Sequence, residues 1–223
     1  MQRDLQVEVK YPERESQVLG SQGLRVDNLV NSFLADMKTQ LLIITALESE
    51  LNQAALPPGV GIVYSGVGKI NATAATLQAI HQFEPKQIIN FGTVGKINPS
   101  LAGLLEIGKV IQRDMMTVPL APRGQTPFCP KPVEYLSLNG DHVCGTGDSF
   151  VTAHDPWLKE QGVDVVDMEL FAIASIAYQF NIPWQSFKYV TDDANSDSGN
   201  EWKHRVNHGQ ELYVSKLQDL LSA

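Results

Sequence analysis

Cysteine is scarce in this 223-residue chain: only Cys129 and Cys144 occur, too few for a disulfide framework and without the Cys-x-x-Cys spacing of a zinc or redox site. Both read as ordinary thiols of a reducing cytoplasm. Basic residues are in deficit, with 17 Lys and Arg against 25 Asp and Glu and a formal net charge of -8. That balance excludes nucleic acid and anionic membranes as expected partners, because a basic patch would have to form against the overall field. Long apolar runs are also missing. The most apolar stretch, Leu170 to Tyr178, falls well short of the roughly 18 residues a spanning helix needs and contains Ser175. The first residues scatter charge of both signs (Arg3, Asp4, Glu8, Lys10) where a secretory signal would be apolar. What is present, 43% hydrophobic residues, suits one core-bearing domain expected in the cytoplasm.

Residues 1–40 differ in texture from the rest. They are polar, hold Pro12, Gly20 and Gly23, and offer one helical face, formed by Leu29, Val30, Phe33, Leu34 and Met37. We read them as an N-terminal extension and residues 41–223 as the domain proper. From Leu41 onward, short apolar runs alternate with helical stretches. Strands are expected at Leu41–Thr45, Gly61–Tyr64, Ile88–Phe91, Gly108–Gln112, His142–Cys144 and Phe187–Thr191. Helices are expected at Asn71–Phe83, Met168–Phe180 and Glu201–Leu221. The alternation implies an α/β fold on a parallel or mixed sheet, with ligands beyond the carboxyl ends of the strands. Residues 112–132 hold five of the twelve prolines and predict a long loop at a site or subunit interface.

Several motifs begin and fail. Ser65–Ile70 (SGVGKI) ends like a phosphate-binding loop, but Val63 stands where its first glycine belongs and Ile70 where Ser or Thr should follow the lysine. Gly145 and Gly147 open a dinucleotide turn whose third glycine is Phe150. Asp193, Asn195 and Asp197 alternate like calcium ligands, yet Ser198 replaces the turn glycine and His204 the closing glutamate. His204 and His208, one turn apart, lack a third metal ligand. No metal or cofactor is therefore expected.

Three carboxylates remain, each just after an apolar run: Glu50, Glu169 and Asp192. Any one of them can serve as a helix cap favoured by the helix dipole. Brought into one crevice, a pair of them suits cleavage of a glycosidic bond, where one acid protonates the leaving group and another prepares water.

The series TALESEL, SGVGKINAT, NFGTVGKI, GTGDSFV, VDMEL and TDDAN, in this order, resembles the methylthioadenosine/S-adenosylhomocysteine nucleosidases of the purine nucleoside phosphorylase superfamily. The resemblance runs from Leu41 to the C-terminus. It implies a three-layer α/β/α sandwich around a twisted mixed sheet, a homodimer, and hydrolysis of a purine nucleoside to adenine and a ribose derivative. It also implies that Asp192 protonates the leaving base, Glu50 handles the attacking water, and Glu169 with Met168 holds the ribose. Phe150 would stack on the purine, Val151 contact its edge, Thr93 lie near the water and Trp202 cover the 5′ substituent; Leu47 and Gly95 complete the expected lining. Phosphorylases of the superfamily carry an arginine where this chain has Asn90, which turns the expectation from phosphate to water as the nucleophile. Arg113 and Arg123 keep a phosphorolytic alternative open, and a non-catalytic purine-nucleoside binder is the alternative of another class. The rewritten segment between Gln112 and His142, with Leu170 and Phe171 after the Met-Glu pair, leaves the 5′ group open.

Overall fold

The computed structural model describes residues 41–57 and 60–222; the extension and its expected helix lie outside them. Eight strands form one sheet: β1 (Leu41–Thr45), β2 (Gly61–Tyr64), β3 (Gln87–Lys96), β4 (Leu104–Gln112), β5 (Glu134–Leu136), β6 (His142–Thr146), β7 (Val165–Asp167) and β8 (Trp184–Asp192). The helices are α1 (Lys69–Phe83), α2 (Pro156–Glu160), α3 (Leu170–Gln179), α4 (Ser198–Arg205) and α5 (Gln210–Ser222).

The order along the sheet is β2-β1-β3-β7-β6-β4-β5, and β8 pairs with both β3 and β4. β3 makes this possible by its length. Its first seven paired residues run parallel to β8, while Gly95 and Lys96 at its tip run antiparallel to β7, after a register shift between Val94 and Gly95. β3, β8, β4, β6 and β7 therefore close a ring, and their carboxyl ends gather around one opening.

Alternation along the strands sorts the core into two layers. Leu42, Ile44 and Ile88 face the side covered by α1 and α3, packing with Ala72, Ile80, Leu170, Ile173 and Ala177. Ile43, Ile89 and Phe91 face the other side, where Tyr213 and Leu217 of α5 close the second layer. Phe91 stacks on Tyr213 at 4.5 Å between ring centroids. The expected sandwich on a mixed sheet is the observed one.

Several expected boundaries move. β3 and β8 extend to Lys96 and Asp192, so Thr93, Gly95 and Asp192 are strand residues. α3 starts at Leu170, leaving Met168 and Glu169 in the turn before it. The expected helix over Glu201–Leu221 is two helices, because Gly209 lies against β8: a Cβ there would come within 2.5 Å of the Tyr189 Cβ. The proline-rich segment has no regular element between Gln112 and Glu134. Among the described residues no helix is long and apolar enough to cross a membrane.

Candidate active site

All ten expected residues (Leu47, Glu50, Thr93, Gly95, Phe150, Val151, Met168, Glu169, Asp192 and Trp202) line one cavity of about 270 Å³ at the carboxyl ends of the strands. A larger hollow around Lys96, His154 and Asp164 holds none of them.

Glu50 is reached by a tight turn after β1, and its buried carboxylate accepts five hydrogen bonds. Oε2 takes the N–H groups of Ala46 and Leu47, both at 3.1 Å, and the Thr45 hydroxyl at 3.2 Å. Oε1 takes the Thr93 N–H at 2.9 Å and its hydroxyl at 2.7 Å. Three backbone N–H groups and two hydroxyls thus hold the carboxylate in one orientation. The Trp202 indole N–H donates to the same Thr93 hydroxyl at 2.9 Å, so α4 is tied to the Glu50 environment through a single oxygen.

Asp192 ends β8. Its Oδ2 accepts the Thr191 hydroxyl at 3.0 Å and its Oδ1 the Ala194 N–H at 3.1 Å. Gly95 makes room for it across the β3–β8 pair, since a Cβ at that position would sit 2.6 Å from Asp192 Oδ1.

Glu169 stands at the N-cap position of α3 without capping it. Asp167 takes that duty, accepting the Leu170 N–H at 2.9 Å, and Glu169 turns into the cavity to accept the Gly68 N–H at 2.9 Å. Burial, and after it the neighbouring Asp167 charge, pushes the Glu169 carboxyl up to about 8.

At the cavity wall, which Asp167 helps to line, lies a pair absent from the expected site. Lys188 of β8 reaches Asp167 of β7 at 2.8 Å, both side chains fully buried, and the Thr146 hydroxyl donates to the other Asp167 oxygen at 2.5 Å. Burial alone would push the Lys188 ammonium down and the Asp167 carboxyl up. Their mutual attraction outweighs it, raising the lysine above and holding the aspartate below their ordinary values. The signal in the sequence was a lysine inside the apolar strand FKYV, a position lysine seldom occupies unless paired.

Both arginines left open as phosphate ligands are engaged. Arg113 is buried; it donates to the carbonyls of Gly145 at 3.2 Å and Gly147 at 2.9 Å, to the Ser149 carbonyl, and to the Ser149 hydroxyl at 3.3 Å. Arg123 forms a two-pronged pair with Asp155 at 2.6 and 3.1 Å and lies over the Trp157 ring. The site thus collects Glu50, Glu169 and Asp192 around the cavity, with Asp167 as a fourth carboxylate paired to Lys188, and both arginines are held by partners.

Residues 58–223 match the family model of the phosphorylase superfamily. A 5′-methylthioadenosine/S-adenosylhomocysteine nucleosidase of Anoxybacillus flavithermus is 30% identical over 185 residues, covering 72% of this chain and 78% of that protein. One from Staphylococcus haemolyticus is 33% identical over 184 residues, covering 72% and 80%. Among solved structures, a mutant Helicobacter pylori nucleosidase with 5′-methylthioadenosine in its active site superposes with a TM-score of 0.74 at 16% identity, over 82% of this chain and 98% of that one. The futalosine hydrolase of the same organism reaches 0.75 at 16% identity, over 84% and 99%. At that identity the superpositions speak for the fold.

Proposed function

The chain belongs to the phosphorylase superfamily and, within it, to the methylthioadenosine/S-adenosylhomocysteine nucleosidase-like members, and from that premise we propose that it hydrolyses the N-glycosidic bond of a 5′-substituted adenosine. The observation that carries this reading is the electrostatics of the cavity. Glu50, Glu169 and Asp192 face it together, while Arg113, Arg123 and Lys188 are all committed to other partners. A phosphate anion placed among these carboxylates would need cationic donors to offset the repulsion, whereas water needs only a carboxylate to receive its proton.

In this reading Phe150 and Val151 hold the purine, and Met168 and Glu169 hold the ribose. Asp192 gives a proton to N7 of the base as the C1′–N9 bond breaks and its electron pair leaves with the base. The ribosyl centre then carries oxocarbenium character, and water adds to C1′. Glu50 accepts the proton that water loses and then releases it to solvent, while solvent returns one to Asp192. The five bonds to Glu50 fix its position toward the water it receives the proton from. Leu47, Val67 and Trp202 supply apolar surface for the 5′ end, which favours an uncharged thioether over a charged substituent.

The test is adenine release from methylthioadenosine with and without inorganic phosphate. Release in its absence is expected, and a strict phosphate requirement would overturn the hydrolytic reading. Asp192→Asn and Glu50→Gln should each lower kcat by about 10²-fold or more while circular dichroism stays unchanged.

A further inference from the structure

The SGVGKI segment leaves one residue without a task in the scheme above. Lys69 is the first residue of α1, directly after the Gly68 whose N–H holds Glu169. Its ammonium reaches Asp114 Oδ1 at 2.5 Å and Asp148 Oδ2 at 3.7 Å. Its own N–H donates to Asp148 Oδ1 at 2.7 Å, and the Asp148 N–H donates to Asp114 Oδ2 at 2.8 Å. Three separate segments meet there: the start of α1, the residues after β4, and the loop after β6.

The neighbours on each side touch the site. On one side is the Gly68–Glu169 bond. On the other, Ser149, Phe150 and Val151 follow Asp148, and Arg113, next to Asp114, grips the carbonyls of Gly147 and Ser149. Arg113 and Asp114 thus hold the β6 loop by its carbonyls and by an N–H respectively, and Lys69 fastens that assembly to α1. A lone surface ion pair contributes little. Here the lysine side chain is mostly covered, and the two carboxylates also accept backbone amides, so each bond restricts a chain segment as well as a charge.

We propose that Lys69, Asp114 and Asp148 form a clasp that positions the ribose-side Glu169 contact and the purine-side Phe150–Val151 loop relative to each other. Lys69 is a positioning residue in this arrangement, touching neither substrate nor reacting atoms. The proposal rests on the nucleosidase reading for the identity of what is positioned, and on geometry alone for the clasp itself.

Two measurements separate these. Amide hydrogen exchange in the full chain reads the clasp without any turnover. Lys69→Met should speed exchange at residues 147–151 at least tenfold, although they lie some 80 positions away, and Lys69→Arg should restore it to within threefold. Steady-state kinetics with methylthioadenosine reads the consequence: KM rises at least tenfold in Lys69→Met with kcat within threefold, and Lys69→Arg recovers most of it. Asp114→Asn releases the same loop from the other side and should reproduce both changes if Lys69→Met folds poorly. Unchanged exchange at 147–151 in Lys69→Met and Asp114→Asn overturns the clasp, as does a loss confined to kcat. A wild-type chain that releases no adenine removes the nucleosidase reading, while the exchange result still decides the clasp.

Discussion

Glu169 and Asp167, two residues apart, divide the work that one acid before a helix would ordinarily do. Asp167 caps α3 and neutralises Lys188; Glu169 is left buried in the cavity with one backbone donor and a like charge nearby. Its carboxyl therefore lies near 8 when ordinary glutamate lies near 4.5, with burial the larger cause and Asp167 the next; Lys188 partly offsets them, and Glu50 adds a smaller push in the same direction. A carboxyl raised on folding stabilises the native state below its unfolded value and loses that contribution as pH climbs through the folded one. Glu169→Gln, which cannot ionise, should gain on wild type as pH rises from about 5 to about 8.5, by about 5 °C or more in Tm. Melts at the two pH values check it, and a difference that does not change with pH would sink it. The three site carboxylates were legible in the sequence because each follows an apolar run. Their division of labour was not, since spacing alone does not say which of Asp167 and Glu169 turns toward the helix and which toward the cavity.

At the level of elements, the Asp167–Lys188 pair joins β7 to β8 across the closed ring, with Asp167 at the cavity wall. Removing one partner strands the other as a buried charge, which costs about 3–5 kcal/mol. Lys188→Met should accordingly lower Tm by about 10 °C or more, and Asp167→Asn added to it should return part of the loss; thermal denaturation of the three variants measures both. If Lys188→Met melts like wild type, the pair contributes nothing to the ring. The long strands and helices were readable from periodicity, because Leu42, Ile44 and Ile88 alternate with Ile43 and Ile89 as a sheet buried on both faces requires. β5 and β7, three residues each, are too short to show a period, and α2 is only five. The break before α5 was hidden for another reason: it depends on contact between Gly209 and Tyr189, twenty residues back on β8, and no local pattern records a tertiary approach.

For the whole molecule, the open question is what covers the mouth of the cavity. Phe150 is half exposed there, and Val67, which lines the same cavity, is exposed as well. The proline-rich segment begins at the cavity with Arg113 and then presents Met116, Val118, Leu120 and Phe128, the last 93% exposed. So much bare apolar surface on one segment marks an interaction surface. A second copy of the chain is the occupant we propose. The body carries most of the chain's excess negative charge, which repels polyanions, and the substrate proposed is small and uncharged at its reacting end. Leu120→Glu with Phe128→Glu should turn a dimer into a monomer in sedimentation equilibrium, since burying two carboxylates in an apolar interface is strongly unfavourable. If the partner also completes the site, the monomer should bind methylthioadenosine at least tenfold more weakly while keeping its Tm within a few degrees, because the exposed tips add little to the fold of one copy. A wild-type chain that sediments as a monomer at micromolar concentration, with a normal KM for methylthioadenosine, would show that one copy closes the cavity by itself.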